Sequence, residues 1–182
     1  MPRPLTVLFV PGVSPGRWLR VWGEREHEPI DARPAEQAKA LAALAADEAE
    51  LAFLRDVSPG EQPGLAGVEL HVIPLYEETP VVVAPRDHVL AALDEVEERD
   101  LAGEELLPGQ DADAVALVAA GAGLALMPQP LARLHARRDV VARPLAGRPG
   151  TRVGLAWRRD AEDPRIDRFI GVVRGRTANS SR

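Results

Sequence analysis

The chain contains no cysteine, which excludes disulfide bonds, thiolate metal ligands and thiol nucleophiles. Aromatic residues make up only 4% of the sequence, so a hydrophobic core has to be built mainly from alanine, valine and leucine. That composition favours an α/β protein over an aromatic-rich β-sandwich. No apolar run approaches the roughly 18 residues of a membrane span, and the first residues show no signal-peptide pattern. We therefore expect a cytoplasmic protein.

Basic residues are fewer than acidic residues, with 22 Lys and Arg against 28 Asp and Glu. The formal net charge is −6 and the isoelectric point is near 5.3, whereas a surface that binds nucleic acid usually carries a basic excess. Direct nucleic-acid binding is therefore disfavoured. The densest basic cluster consists of Arg133, His135, Arg137 and Arg138, positions that on a helix are typical of a solvated charged face.

What is present in the first part of the chain is an alternation of short apolar runs with amphipathic segments. The predicted strands are Leu5–Val10, Ile30–Arg33 and Leu51–Leu54. Two helices are predicted between them, and three strands alternating with two helices are typical of a parallel sheet with right-handed crossovers.

Both predicted helices have a start signal. Ser14 is a good N-cap with Pro15 at the first helical position, and the helix runs to about His27. The second helix is expected to begin at Pro34 and to continue through about Ala46.

The rest of the chain begins with a Gly- and Pro-rich loop, residues 57–67, and an extended stretch, residues 68–84, that we interpret as strands crossing between two lobes. The remaining predictions are a short helix at 89–96, a turn at 100–103, a weak strand at 105–107, helices at 112–120 and from Pro130, strands at 124–127, 140–145 and 153–157, and a last helix with Ile166, Phe169, Ile170 and Val173 on one face.

Three segments, taken in order, resemble the effector-binding domains of the LysR-type transcriptional regulators. Residues 49–55 (AELAFLR) are similar to the strand that closes the family's first subdomain, with Glu50 where an aspartate normally stands. Residues 75–90 (LYEETPVVVAPRDHVL) resemble the family's crossover strand and turn, and the DLAG of residues 100–103 follows. Residues 117–128 (LVAAGAGLALMP) are close to its helix–glycine–strand element. With the final strand and helix, the resemblance covers about residues 5–174.

The resemblance implies an α/β, two-lobed domain of the periplasmic-binding-protein type 2 fold, with mixed sheets flanked by helices. Lobe I is then residues 1–80 with 146–176, lobe II is residues 81–145, and residues 177–182 are a disordered tail. Two features depart from the family. The helix-turn-helix and linker helix of ordinary members would precede Met1, so we expect a free-standing module without the DNA-binding half. Residues 101–118 are shorter than the family's equivalent stretch, so we expect a reduced second lobe.

In such a module a ligand lies between the lobes, where strand carboxyl ends and helix amino ends favour an anion. We predict five ligand contacts on this ground, namely Ser14, Arg33, Arg55, Thr79 and Gln110. The alternatives are that Ser14 only caps its helix and that the arginines pair with a neighbouring aspartate, Asp31 or Asp56.

Trp18 and Trp22 are predicted at an interface. In the resembling family the first helix packs against the second lobe of another subunit in an antiparallel dimer, and large aromatic side chains suit such a surface. The alternative is that both tryptophans cover the sheet of their own lobe.

Catalysis has little support in the sequence. There is no G-x-S-x-G nucleophile elbow, and the four histidines show no metal-ligand spacing. Gly121 and Gly123 lack the further glycines and the lysine of a nucleotide loop. We therefore predict no catalytic residue, no metal and no cofactor.

The leading hypothesis is a dimeric, non-catalytic sensor of a small anionic molecule, related to LysR-type regulators and acting on another protein instead of on DNA. The alternative is an interaction protein that has lost ligand sensing and pairs with full-length regulators through the shared dimer surface. An enzyme on the same scaffold is a third possibility, which requires a catalytic constellation that the sequence does not show.

Overall fold

The computed structural model describes residues 3–62 and 67–175. The predicted tail, residues 177–182, and part of the predicted loop, residues 63–66, lie outside the described residues. The chain divides into two compact units: unit 1 is the described part of Met1–Leu75 and Val153–Arg182, and unit 2 is Tyr76–Arg152. No helix in the described ranges is long and apolar enough to cross a membrane.

The described residues form eleven strands, five α-helices and two 3₁₀ turns. The strands are β1 (Leu5–Phe9), β2 (Ile30–Pro34), β3 (Leu51–Arg55), β4 (Gly60–Glu61), β5 (Glu69–Glu78), β6 (Pro80–Pro85), β7 (Val96–Glu97), β8 (Leu106–Leu107), β9 (Leu124–Pro128), β10 (Val140–Ala146) and β11 (Thr151–Arg158). The helices are α1 (Gly16–Arg25), α2 (Gln37–Ala45), α3 (Ala112–Ala119), α4 (Gln129–Leu134) and α5 (Pro164–Val173). The 3₁₀ turns are Val89–Ala92 and Glu98–Leu101.

Unit 1 is built on a mixed sheet with the strand order β2-β1-β3-β11-β5-β4. β1 runs parallel to both β2 and β3, and β11 is antiparallel to β3. The helix between each pair of parallel strands returns the chain to the same end of the sheet, as βαβ units require. The predicted parallel arrangement of the first three strands is confirmed.

The core of unit 1 joins this sheet to α1, α2 and α5. β3 is central, and its residues Leu51 to Leu54 are all buried, which explains its continuous apolar sequence. Phe53 contacts Phe169 of α5 edge to face, with ring centroids 6.3 Å apart. Of the apolar face predicted for the last helix, Ile166, Phe169 and Ile170 are buried in this core and Val173 is half-buried.

Unit 2 is built on a second mixed sheet with the order β7-β10-β6-β9-β8. β6 is antiparallel to β9 and β10, whereas β7 and β8 run parallel to their neighbours. Alternate residues of β6 face opposite sides: Val81 and Val83 pack with α3 and α4, and Val82 and Ala84 pack with the first 3₁₀ turn. The expectation of mixed sheets flanked by helices is confirmed.

Pro34 does not begin a helix, as the sequence had suggested. It is the last residue of β2, paired with Phe9, and α2 begins three residues later at Gln37. β2 is an edge strand with one free side. The N–H that proline lacks would have had no partner strand on that side, so the sheet loses no hydrogen bond. The short strand β4 was not predicted either, since Gly60 and Glu61 lie in a loop sequence and form a strand only through pairing with β5.

Candidate functional site

The carboxyl ends of β1, β2 and β3 meet at one edge of the unit 1 sheet, and two helices begin there. The chain leaves β1 at Phe9 and enters α1 at Gly16; it leaves β2 at Pro34 and enters α2 at Gln37. The first N–H groups of a helix have no intrahelical acceptor, and the helix dipole favours negative charge at this end. This edge is therefore the part of unit 1 best suited to an anion.

Ser14 lies beside the start of α1 but does not cap it. The N-cap is Pro15, whose carbonyl accepts hydrogen bonds from the amides of Trp18 and Leu19 at 2.9 and 3.1 Å, and no side chain caps the helix. The prediction that Ser14 is the N-cap is wrong, because the helical hydrogen bonds begin one residue later. Ser14 is exposed, and a Cβ placed on Gly16 would lie 3.9 Å from its Oγ. Its hydroxyl thus stands next to an uncapped helix start.

The start of α2 is fixed to the end of β3 by Gln37, which was not among the predicted residues. Its Oε1 accepts the backbone N–H of Arg55, and its Nε2 donates to the carbonyl of Arg55, both at 2.9 Å. The N-cap of α2 is Glu36, whose side chain makes no capping hydrogen bond. The only sequence signal was a polar residue in the first turn of an alanine-rich helix, which is also common on solvated faces.

Arg55 joins the end of β3 to the loop that precedes α1. Its Nη1 donates to the carbonyl of Pro11 at 2.7 Å, and the side chain is half-buried. Asp56 follows with a φ of 48°, a left-handed conformation that aspartate adopts more readily than most residues. The structure therefore brings Arg55 and Gln37 together with Pro11, and Arg55 fixes the loop in which Ser14 lies.

Arg33 lies inside β2, not at the start of a helix as expected. Its side chain is 60% exposed, and its Nε is 3.7 Å from the carboxylate of Asp31. The pairing with Asp31 that the sequence left open is thus present, although an exposed pair of this kind contributes little to stability. A ligand contact by Arg33 stays a prediction.

In unit 2, Thr79 and Gln110 lie at the sheet edge where β8 and β9 end and α3 and α4 begin. The carbonyl of Thr79 accepts the amide of Gln129, the first residue of α4, at 2.9 Å. Gln110 is exposed, and its Nε2 contacts the carbonyl of Leu126 at 3.4 Å. The next residue, Asp111, caps α3 with its carboxylate. Because that helix start already holds a negative charge, the edge of unit 1 is the better anion site.

Both tryptophans are covered by unit 1 itself. Trp18 is 7% exposed and stacks on Phe53 with ring centroids 5.1 Å apart, whereas Trp22 is fully buried and packs against Phe169. Trp22 donates its Nε1–H to the carbonyl of Glu28, but Trp18 Nε1 has no acceptor among the described residues. This burial agrees with the alternative considered from the sequence, in which both tryptophans cover the sheet of their own lobe. A role at an interface stays a prediction.

The chemistry that this edge supports is binding through hydrogen-bond donors: helix amides, the Ser14 hydroxyl and the guanidinium of Arg55. Across residues 3–62 and 67–175, no group of three or more histidine, aspartate or glutamate side chains is placed to hold a metal ion.

Comparison with solved structures finds the same fold in bacterial regulators. A cysteine mutant of Corynebacterium glutamicum OxyR bound to H2O2 matches with a TM-score of 0.72 and 22% identity, covering 96% of this chain and 67% of that chain. The OxyR regulatory domain of Pseudomonas aeruginosa, also a cysteine mutant, matches with a TM-score of 0.68 and 20% identity, covering 96% and 97%. The effector binding domain of BenM with its effector benzoate matches with a TM-score of 0.71 and 18% identity, covering 96% and 94%.

These identities show the fold, which is the periplasmic-binding-protein type 2 fold expected from the sequence. The chain spans about two thirds of the Corynebacterium glutamicum OxyR chain and nearly all of the isolated regulatory domains. No curated protein matches the sequence. The family model described as LysR substrate binding domain matches residues 27–112 and 109–178, which together are most of the chain. The chain therefore belongs to the LysR substrate-binding domain family.

Proposed function

We propose that this chain is a non-catalytic sensor domain that binds a small anionic effector at the strand edge of unit 1. Membership of the family makes it a regulatory ligand-binding module; the charge of the ligand and the residues that hold it are the proposal. One observation carries it: α1 and α2 both begin at the same edge of the sheet, and no side chain in the described part of the chain caps either helix.

An anionic ligand would replace those missing caps. A carboxylate accepts hydrogen bonds from the first amides of α1 and from the Ser14 hydroxyl, and the helix dipole adds favourable electrostatics. Arg55 adds positive charge and fixes the loop before α1 through Pro11. In unit 2 we assign supporting contacts to Thr79 and Gln110, both exposed at a second edge with helix starts. Arg33 is an additional candidate.

The proposal extends to partners and location. We infer that the chain acts as a homodimer, or as a heterodimer with a LysR-type regulator, and that Trp18 and Trp22 stiffen the helix that faces the partner. Its place of action is the cytoplasm. Binding or release of the ligand then alters the interaction of the chain with its partner protein.

A thermal-shift screen of the purified chain tests the binding function. The panel contains aromatic acids, amino acids and short dicarboxylates, with benzoate first because BenM was solved with benzoate as its effector. A ligand at about 100 times its Kd adds about 2.7 kcal/mol to the free energy of unfolding. For a domain of this length that is a rise in Tm of about 5 to 10 °C. Neutral amides of the same compounds are the control and are expected to give no rise.

Variants then locate the ligand. Ser14→Ala removes one donor and is expected to weaken binding about three- to tenfold. Arg55→Gln is expected to weaken it about tenfold, since a charged donor is lost and the loop is loosened. The matched control is Arg20→Gln on the exposed surface of α1, which should leave affinity unchanged. Equal effects of Arg20→Gln and Arg55→Gln would place the ligand elsewhere.

The interaction protein without ligand sensing is the second candidate, and the short edge strands of unit 2 favour it. β7 and β8 have two residues each, so little of the second sheet extends beyond β10, β6 and β9. A folded, dimeric chain that no compound in the panel stabilises would support this candidate and contradict the sensor.

A further inference from the structure

A surface of unit 2 carries four exposed arginines. It is formed by Arg86, Arg133, Arg137 and Arg138, with Leu134 among them, and is called the basic patch below. Arg86 is joined to it because its backbone N–H donates to the carbonyl of Asp139 at 3.0 Å, where β6 ends and β10 begins. Arg133 is in the last turn of α4, and the other two arginines follow in the connection to β10.

The patch is not neutralised by its own acidic residue. Arg137 binds Asp139 through two hydrogen bonds of 2.9 and 2.8 Å. The pKa of Asp139 is lowered to about 2, chiefly by the side-chain hydrogen bond from Arg137, so this carboxylate stays ionised and offsets one arginine. The side chains of Arg86, Arg133 and Arg138 are exposed and have no ion pair among the described residues.

Elsewhere in the chain some arginines are paired and others are not. Arg158, Arg159, Arg165 and Arg168 each have a carboxylate partner, whereas the exposed Arg17, Arg20 and Arg148 have no ion pair among the described residues. The basic patch differs because three such arginines lie at the end of β6 and in the segment from α4 to β10. The chain as a whole is acidic, with a net charge of −6, so three exposed arginines without an ion pair in this patch are not a consequence of general basicity.

An apolar side chain lies within the basic patch. Leu134 is the last residue of α4 and is 55% exposed, although its neighbour Leu131 is buried in the core of unit 2. Six large hydrophobic side chains are exposed among the described residues, and Leu134 is the one next to Arg133. An apolar side chain with a polar rim is the arrangement found in protein interfaces, so the leucine offers an apolar contact within the patch.

The patch and the ligand contacts of unit 2 lie at opposite ends of the same strand. Thr79 precedes β6 and Arg86 follows it, and six extended residues span about 17 to 20 Å. An occupant of the patch therefore does not compete with a small molecule at Thr79.

We propose that the basic patch is a docking surface for an acidic segment of a protein partner, with Leu134 contacting an apolar side chain of that segment. Guanidinium groups bind carboxylates bidentately, and several of them together distinguish an acidic partner from a neutral one. Nucleic acid fits less well for two reasons. Its charge density is higher than that of an acidic segment, so the acidic remainder of the chain repels it more strongly, and its phosphates offer Leu134 no apolar contact. The proposal goes beyond ligand sensing and supplies a surface through which the module acts on another protein.

The test uses the full chain labelled with ¹⁵N and a synthetic helical peptide of about 16 residues, long enough to form a helix, with glutamate and leucine at helical spacing. We expect saturable amide shifts concentrated at Arg86 and residues 133–139, weakened by added salt. The double variant Arg133→Glu with Arg138→Glu should weaken binding about tenfold or more. The control with the same charge change, Arg20→Glu with Arg148→Glu, alters exposed arginines outside the patch and should change affinity less than about twofold.

Two further experiments separate the contribution of Leu134 from that of the arginines and compare a peptide with nucleic acid. Leu134→Ser should weaken binding of this peptide but not of a matched peptide in which serine replaces leucine. A short DNA duplex should bind more weakly than the peptide. The proposal is overturned by tighter binding of the duplex or by equal losses in the two double variants. It is also overturned by the absence of saturable shifts up to about 1 mM peptide, since the Kd would then lie above about 1 mM.

Discussion

The Glu50 carboxylate at the start of β3 is only 9% exposed, yet it is surrounded by donors and positive charge. Its Oε2 accepts the backbone N–H of Thr6 at 2.6 Å, and its Oε1 lies 3.3 Å from Arg3 and 3.9 Å from Arg165. The side chain thus joins β3 to β1, to the residues before β1 and to α5. Burial of a charge is costly, but removal of one member leaves its partners unpaired, which costs more.

Glu50→Ala is therefore expected to lower the free energy of unfolding by about 2 to 3 kcal/mol, because the Thr6 amide loses its acceptor and Arg3 and Arg165 lose a nearby negative charge. Glu50→Gln keeps an oxygen near Thr6 and should cost about 1 to 2 kcal/mol. Glu48→Ala, two residues earlier and exposed, is the control and should change stability by less than about 0.5 kcal/mol. Urea unfolding followed by circular dichroism measures all three. Equal losses for Glu48→Ala and Glu50→Ala would refute a special role of the buried carboxylate.

At the scale of elements, α2 is a helix with an unused cap position. The carbonyl of Glu36 accepts the amide of Ala40 at 2.9 Å, and the Glu36 backbone has the extended ψ of an N-cap, 146°. The glutamate side chain makes no capping hydrogen bond there. Aspartate has the shorter side chain that reaches the N–H groups of the first turn.

Glu36→Asp should therefore raise the free energy of unfolding by about 0.5 to 1 kcal/mol without changing the net charge. Glu24→Asp on the exposed part of α1 is the matched control; it changes no cap and should be slightly destabilising because aspartate has the lower helix propensity. The same variant tests the proposed ligand edge, since a capping carboxylate at α2 competes with an anion. A stabilised Glu36→Asp chain with unchanged ligand affinity would restrict the ligand to the start of α1.

The elements also show where sequence reasoning succeeds. α5 was predictable because Ile166, Phe169 and Ile170 fall on one face, and β3 because its apolar run is short and continuous. The start of α3 at Ala112 was also predicted, but the start of α2 was not. Pro34 is compatible with both a helix start and the end of an edge strand, and only the pairing of β2 with β1 distinguishes them. The same limit applies to the candidate site. The sequence indicates that Arg55 follows a strand and that Ser14 lies near a helix start, but the cap of that helix is Pro15 and the ligand contacts stay predictions. Gln37 is recognisable only once α2 lies against β3.

For the whole molecule, acidic pH acts on several carboxylates together. The pKa of Asp163 is lowered, first by the side-chain hydrogen bond from Arg165, and that of Asp160 is lowered by the hydrogen bond from Arg158. A carboxylate whose pKa is lowered on folding stabilises the protein above its ordinary pKa, about 3.9, and this stabilisation is lost as the pH falls towards the lowered value. Protonation of the carboxylates also leaves the charge of 22 Lys and Arg and 4 His residues unopposed.

The Tm is therefore expected to change little between pH 7 and about pH 5 and to fall steeply below about pH 4, where the carboxylates take up protons. Asp163→Asn keeps a capping group at the start of α5 but removes the charge, and should cost about 1 kcal/mol at pH 7 after screening by solvent. Because the wild-type carboxylate is itself neutralised in acid, the Tm difference between the two proteins should shrink below about pH 3. Differential scanning calorimetry across this pH range measures both curves. A difference that persists unchanged at low pH would mean that the charge of Asp163 does not cause it and that asparagine does not replace aspartate as the cap of α5.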